Sequence, residues 1–252
     1  MKKVLFYDFD RGLSTLGSPE TIEKEFGYRP RTFIETKRAM ELFDRTHKLK
    51  KEEIKDSLGT IDIEYYDTHP SIGFEVLDSI SAYSIMKKKE VRGTAKKVTL
   101  PQYGEIKEDL EDLILALTRT NTSSILIGHT KTEKDEDLGI LRSIPSVTGS
   151  MANEMGRLFD LVLYTEVQKD AKTGKRSYLW QVEADEKKAA KCRIQSIAEY
   201  ASKNDGYIEQ DYEKLFKMAY DEGIMFLKIL VLGETGTGKT YALKTLKDLL
   251  GG

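Results

Sequence analysis

The sequence predicts an α/β fold, a largely parallel sheet with helices packed on it. Three observations predict it. Short apolar runs rich in β-branched and aromatic residues recur along the chain, stretches of helical periodicity separate them, and 252 residues are enough to bury a core without staples. The formal net charge is −2 with 33% of residues charged, so any nucleic-acid contact must come from local patches. Cys192 has no second cysteine to pair with, which suits a reducing, cytosolic setting. The first apolar run, Val4-Leu5-Phe6-Tyr7, meets Asp8 at once, and no other run approaches spanning length. Neither a signal peptide nor a membrane span is expected.

Taken in order, the strand segments are 4–9, 74–77, 124–128, 160–165, 178–182 and 226–232. Ser18-Pro19 reads as a helix N-cap with proline at the first helical position, and Gly27 as the stop. The highly charged stretch 35–58 predicts one or two exposed helices. Ile106, Leu110, Leu113, Ile114 and Leu117 recur at helical spacing, so 105–120 is expected to lie as an amphipathic helix on the sheet. The chain is expected to form a single domain, with core strands in 1–203, a connecting helix or junction in 204–225 and a final strand and helix in 226–252.

That final segment carries the sharpest motif, Gly233-Glu234-Thr235-Gly236-Thr237-Gly238-Lys239-Thr240, between a strand candidate and a helix candidate. Its glycines permit a tight turn in which successive backbone N–H groups face phosphate oxygens, and the following helix adds its positive end. Lys239 supplies charge to the β- and γ-phosphates, Thr240 a hydroxyl to Mg²⁺, and Tyr241 completes the nucleotide-contacting set. ATP with Mg²⁺ is the expected ligand. Phe74-Glu75-Val76-Leu77-Asp78 ends an apolar strand in a carboxylate, so Asp78 is the candidate metal-site aspartate of a Walker B element. Asp8 and Asp10 end another strand on a common face, where one of them would polarise the attacking water.

Together with 125–129 (Ile-Leu-Ile-Gly-His), 148–154 and Phe159-Asp160, these segments resemble the phage RecA-like nucleotide-binding proteins associated with single-strand annealing and recombination. The resemblance implies a RecA-like ATPase core and a ring- or filament-forming homo-oligomer acting on single-stranded DNA in the cytoplasm, of a bacterial host if phage-encoded. It places Asp10 where the family carries its water-activating glutamate, with a shorter reach. His129 falls at the γ-phosphate sensor position. Lys191 and Arg193 have the spacing of cations that reach a neighbouring subunit's γ-phosphate. The basic run with Lys87, Lys88, Lys89, Arg92, Lys96 and Lys97 sits where the family has its first DNA loop, with Tyr103 downstream to stack on a base, and 130–147 where it has the second. Family members begin with the P-loop strand and helix. Here that unit comes last, so the chain reads as circularly permuted, with the arm docking in cis.

Two other readings stand beside this one. A small-molecule or nucleotide kinase would use Arg29, Arg31, Lys37 and Arg38 as a phosphate-gripping lid, and a non-hydrolysing module would use ATP only to set its assembly.

Overall fold

The computed structural model describes residues 3–9, 12–27, 72–118, 122–136 and 139–250. Asp10, the charged stretch 35–58 and the four basic residues of the kinase reading lie outside them.

Among the described residues, nine strands form one mixed sheet: β1 (Lys3–Asp8), β2 (Ile72–Asp78), β3 (Ser123–Asp135), β4 (Ile140–Pro145), β5 (Leu161–Lys169), β6 (Arg176–Gln181), β7 (Lys191–Cys192), β8 (Tyr207–Glu209) and β9 (Lys228–Gly233). The order across it is β1-β2-β3-β9-β5-β6-β8, with β4 paired to β3 and β7 to β5. The first five strands of that order run parallel, and β6 and β8 extend the sheet antiparallel. The last strand in sequence is therefore central in space. All six residues of β9 are buried, as its unbroken apolar run requires of a strand covered on both faces.

Alternation along the strands divides the core in two. Phe6, Val76, Ile127, Val231 and Leu163 face one way, under α1 (Pro19–Phe26) and the C-terminal helices. Leu5, Leu77, Leu126, Leu232 and Val162 face the other way, under α2 (Ile80–Arg92) and α3 (Leu100–Thr118). The helix signals act as read. The Ser18 hydroxyl accepts from the Thr21 amide, Pro19 opens α1, and Gly27 closes it at φ 95°. The apolar positions predicted for the second helix, Ile106 through Leu117, are all buried, although α3 begins earlier, at Leu100.

Two expectations change. Lys87, Lys88, Lys89 and Arg92 do not lie in a mobile loop but on the later turns of α2, where cations complement the helix's carbonyl end. Lys87 pairs with Asp109 at 2.8 Å, and the Lys88 ammonium stands 5.7 Å from the Tyr103 ring centre, so Tyr103 already serves as packing; only Lys96 and Lys97 belong to the loop 93–99. The segment 130–147 is mostly the β3–β4 hairpin, paired from Thr130↔Pro145 to Asp135↔Ile140. The segment 204–225, expected to hold a connecting helix, contains β8 as well as α4 (Tyr212–Asp221), which is capped by Asp211 accepting from the Lys214 amide.

Under the C-terminal end of α3, Glu75, Ser124 and Lys228 lie side by side on three neighbouring strands. The Lys228 ammonium donates to the carbonyls of Leu117 and Thr122 and to the Ser124 hydroxyl. Burial pushes its pKa down to about 8, against the opposing pull of Glu75 and Asp160. The unfolded chain therefore holds this proton more tightly, and stability rises with pH between about 8 and the ordinary lysine value. Denaturant titrations are expected to show this rise, on the order of 2 kcal/mol, in the native chain and to lose it in Lys228→Met.

Candidate nucleotide-binding site

The site is built where β9 ends. Gly233 closes the strand so tightly against β5 that an added Cβ would lie 1.7 Å from the Thr165 hydroxyl oxygen. The chain then turns through Gly236 at φ 82° and Gly238 at φ 84°, conformations that exclude a β-carbon without strain, and enters α5 (Lys239–Ala242), which continues as a 3-10 helix over Leu243–Leu249. The Thr237 hydroxyl is tied to the Glu234 carbonyl at 2.8 Å and to the Thr165 hydroxyl at 2.6 Å. The Lys239 side chain is buried and folds back into the loop, its ammonium donating to the carbonyls of Gly233 at 3.0 Å and Glu234 at 2.6 Å. A flexible cation held on weak neutral acceptors inside a ring of backbone groups can exchange them for phosphate oxygens, which make charge-assisted bonds.

Thr240 donates its hydroxyl to a carboxylate oxygen of Asp78 at 2.8 Å. The two residues are far apart in sequence. They meet because Asp78 ends β2, separated from β9 only by β3, and faces the side on which the P-loop helix lies. Asp8 is in register with Asp78 on the neighbouring strand and shares its face. His129 is in register with Gly233, with its amide donating to the Ser81 hydroxyl at 2.9 Å. Lys239, Thr240, Asp78 and His129 thus converge at the carboxyl edge of the parallel strands, the end at which open α/β sheets bind ligands.

Lys191 and Arg193 do not join them. The short pairing of β7 with the start of β5 carries them toward the opposite edge, where the Lys191 ammonium donates to the carbonyls of Gly156, Arg157 and Phe159. Burial and the nearby Arg193 lower its pKa. Arg193 contacts Asp160 at 3.7 Å and stays more than half exposed. Lys188, not singled out in the sequence, is the cation of this segment that reaches the P-loop end. It pairs with Glu166, donates to Gln181 at 3.1 Å, and borders a cavity of about 330 Å³ shared with Thr130, Gly233, Glu234 and Thr237. Its position follows from strand pairing across β5, which no local pattern announces.

Among the described residues no group of three or more His, Cys, Asp or Glu side chains could hold a metal by itself. The Thr240 hydroxyl beside the Asp78 carboxylate nevertheless fits Mg²⁺, a hard ion that takes one or two protein oxygens and completes its shell with phosphate and water. No helix among the described residues is long and apolar enough to cross a membrane.

No curated protein and no solved structure matches the chain. A family model described as an AAA domain matches residues 1–194, a stretch that contains Asp78 and His129 and stops short of the P-loop. Most of the chain is covered by that model, and the glycine-rich loop, its lysine and the Thr240–Asp78 pair sit at one sheet edge; the chain belongs to the AAA-domain family and is a nucleotide-binding P-loop NTPase domain.

Proposed function

We propose that this protein is a RecA-like, Mg²⁺-dependent ATPase in permuted order, which assembles into a homo-oligomer and acts on single-stranded DNA in phage recombination or annealing. The observation that carries the reading is the meeting of Thr240 with Asp78, which gives the C-terminal loop the acidic partner that magnesium-assisted phosphoryl transfer needs.

Read from β9 onward and then from β1, the strands follow the order of the resembling family: P-loop strand, Asp8/Asp10 strand, Asp78 strand, His129 strand. The packing of the chain's end supports that reading. Lys247 pairs with Glu25 and lies 5.6 Å from the Phe26 ring centre, and Leu250 is buried in the core cluster that includes Val4, so the C-terminal helix runs back to the start of β1.

In the proposed mechanism the P-loop amides and Lys239 hold the phosphates, and the loop's rigid backbone fixes them for in-line attack by water. When bound, magnesium supplies Lewis-acid neutralisation of the charge that develops on the phosphate oxygens. The role of orienting the water is assigned to Asp10, two residues after Asp8 in the sequence, and His129 registers the γ-phosphate beside Gly233. Exposed Arg193 is the better of the two trans-acting candidates, because Lys191 is committed to three carbonyls of its own chain.

DNA would be held beyond the carboxyl edge. The Lys87–Asp109 pair and the bond from Gln102 to the Val91 carbonyl make α2 and α3 an antiparallel pair, while the far end of α3 anchors the Ser124 hydroxyl at the amino edge of the strands. A helix of this length spans roughly 28 Å, so the 93–99 turn with Lys96 and Lys97 projects past the sheet on the side of the β3–β4 hairpin. Such cations neutralise phosphates without reading sequence.

The test is steady-state ATP hydrolysis with and without single-stranded DNA over a range of protein concentrations. Turnover that DNA stimulates and that rises steeply with concentration is expected. Turnover indifferent to both, or phosphate transferred to an acceptor other than water, would overturn the assignment.

A further inference from the structure

The outer rim of the P-loop carries a feature that phosphate binding does not use. β6 puts Tyr178 on the same face as Trp180, which is fully buried and packs 4.7 Å from the Tyr212 ring centre. Two residues along the strand the core has ended, and Tyr178 is 42% exposed. It is not loose. A Cβ added to Gly238 would lie 3.0 Å from a ring carbon of Tyr178 and 2.9 Å from the Gln210 side-chain oxygen, so both side chains rest directly on the last glycine of the loop.

Gln210 fixes this arrangement. Its backbone amide donates to the Tyr178 carbonyl at 3.2 Å, and its side-chain amide donates to the carbonyls of Leu179 at 3.0 Å and Thr237 at 3.1 Å. One side chain therefore clips the P-loop to β6 and sets the ring's position relative to Lys239. A second tyrosine, Tyr241, stands 63% exposed in α5, with the Lys244 ammonium 4.3 Å from its ring centre.

A nucleotide whose phosphates fill the loop must leave its base outside it, at this rim. Exposed, immobilised aromatic faces there match the flat π-surface of a base, and such stacking tolerates any base while favouring the larger purines. We propose that Tyr178, held in place by Gln210, is the nucleobase platform of the site, so that the protein takes purine nucleoside triphosphates by stacking rather than by reading base edges. This rests on the P-loop reading above.

The experiment compares calorimetric binding of MgATP and of magnesium tripolyphosphate, which has no base, to the full chain and to Tyr178→Leu and Tyr178→Phe. Leucine keeps bulk against Gly238 and loses the π-face; phenylalanine keeps both. Tyr178→Leu is expected to weaken ATP about tenfold or more while tripolyphosphate binding stays within about twofold, and Tyr178→Phe to behave as the native chain. Equal weakening of both ligands by Tyr178→Leu, or of neither, would overturn the platform. So would a native chain that binds tripolyphosphate as tightly as ATP, with the P-loop reading left intact. A native chain that binds neither ligand would instead remove the P-loop reading, and the platform with it.

Discussion

Replacing Lys239 with alanine is expected to cost the protein at least about a hundredfold in ATP affinity and to take hydrolysis below detection. The size of the effect follows from where the ammonium sits. It is buried within the loop, where it donates to the carbonyls of Gly233 and Glu234, and its charge stands opposite the place a polyphosphate would take. The bonds to Gly233 and Glu234 are ones the nucleotide itself would displace, and a folded variant is expected. Calorimetric titration with MgATP, alongside circular dichroism of the variant, checks both halves. Binding retained within about threefold would mean that the loop does not hold phosphate.

The second large effect is expected at Asp78. Asparagine there preserves the shape and still accepts from the Thr240 hydroxyl, but it removes the charge that would hold the metal at the site. Turnover in saturating MgATP is expected to fall by about a hundredfold or more, while binding of ATP in the presence of a chelator changes little. Thr240→Ala is expected to share the magnesium-dependent loss. An Asp78→Asn variant with native turnover would leave the Thr240–Asp78 contact as packing only.

Much of this site is legible in the sequence because its signals are local. Glycines at fixed offsets before Lys239-Thr240, and an apolar run that stops at Asp78, each report one strand end. What is not local is not legible. Nothing in 226–232 says that this strand inserts between β3 and β5, which is decided by burial of its two apolar faces. The basic run at Lys87–Lys89 suggests a loop because its cations crowd the helix's last turns and mask the few apolar positions of α2, among which only Ile80 and Tyr83 are buried hydrophobics. The strand β3 continues past His129 through Thr130, Lys131 and Thr132, since an antiparallel ladder with β4 needs no apolar alternation when both faces are open. Lys188 comes to the loop end through its bridge to Ser143 of β4, and Tyr178 and Gln210 through the pairing of β5, β6 and β8, so their proximity is a property of topology.

The nucleotide site depends on β9 being the central strand of its own sheet, with the P-loop facing Asp78 of the same chain. Native-state hydrogen exchange of residues 228–240, read at dilute and at high protein concentration and with and without MgATP, tests this most directly. The predicted result is slow exchange at 229–232 that does not depend on concentration, with MgATP adding protection at 233–240. Fast exchange along β9, or protection that appears only as the protein is concentrated, would place the strand elsewhere or in a neighbouring copy and contradict the account.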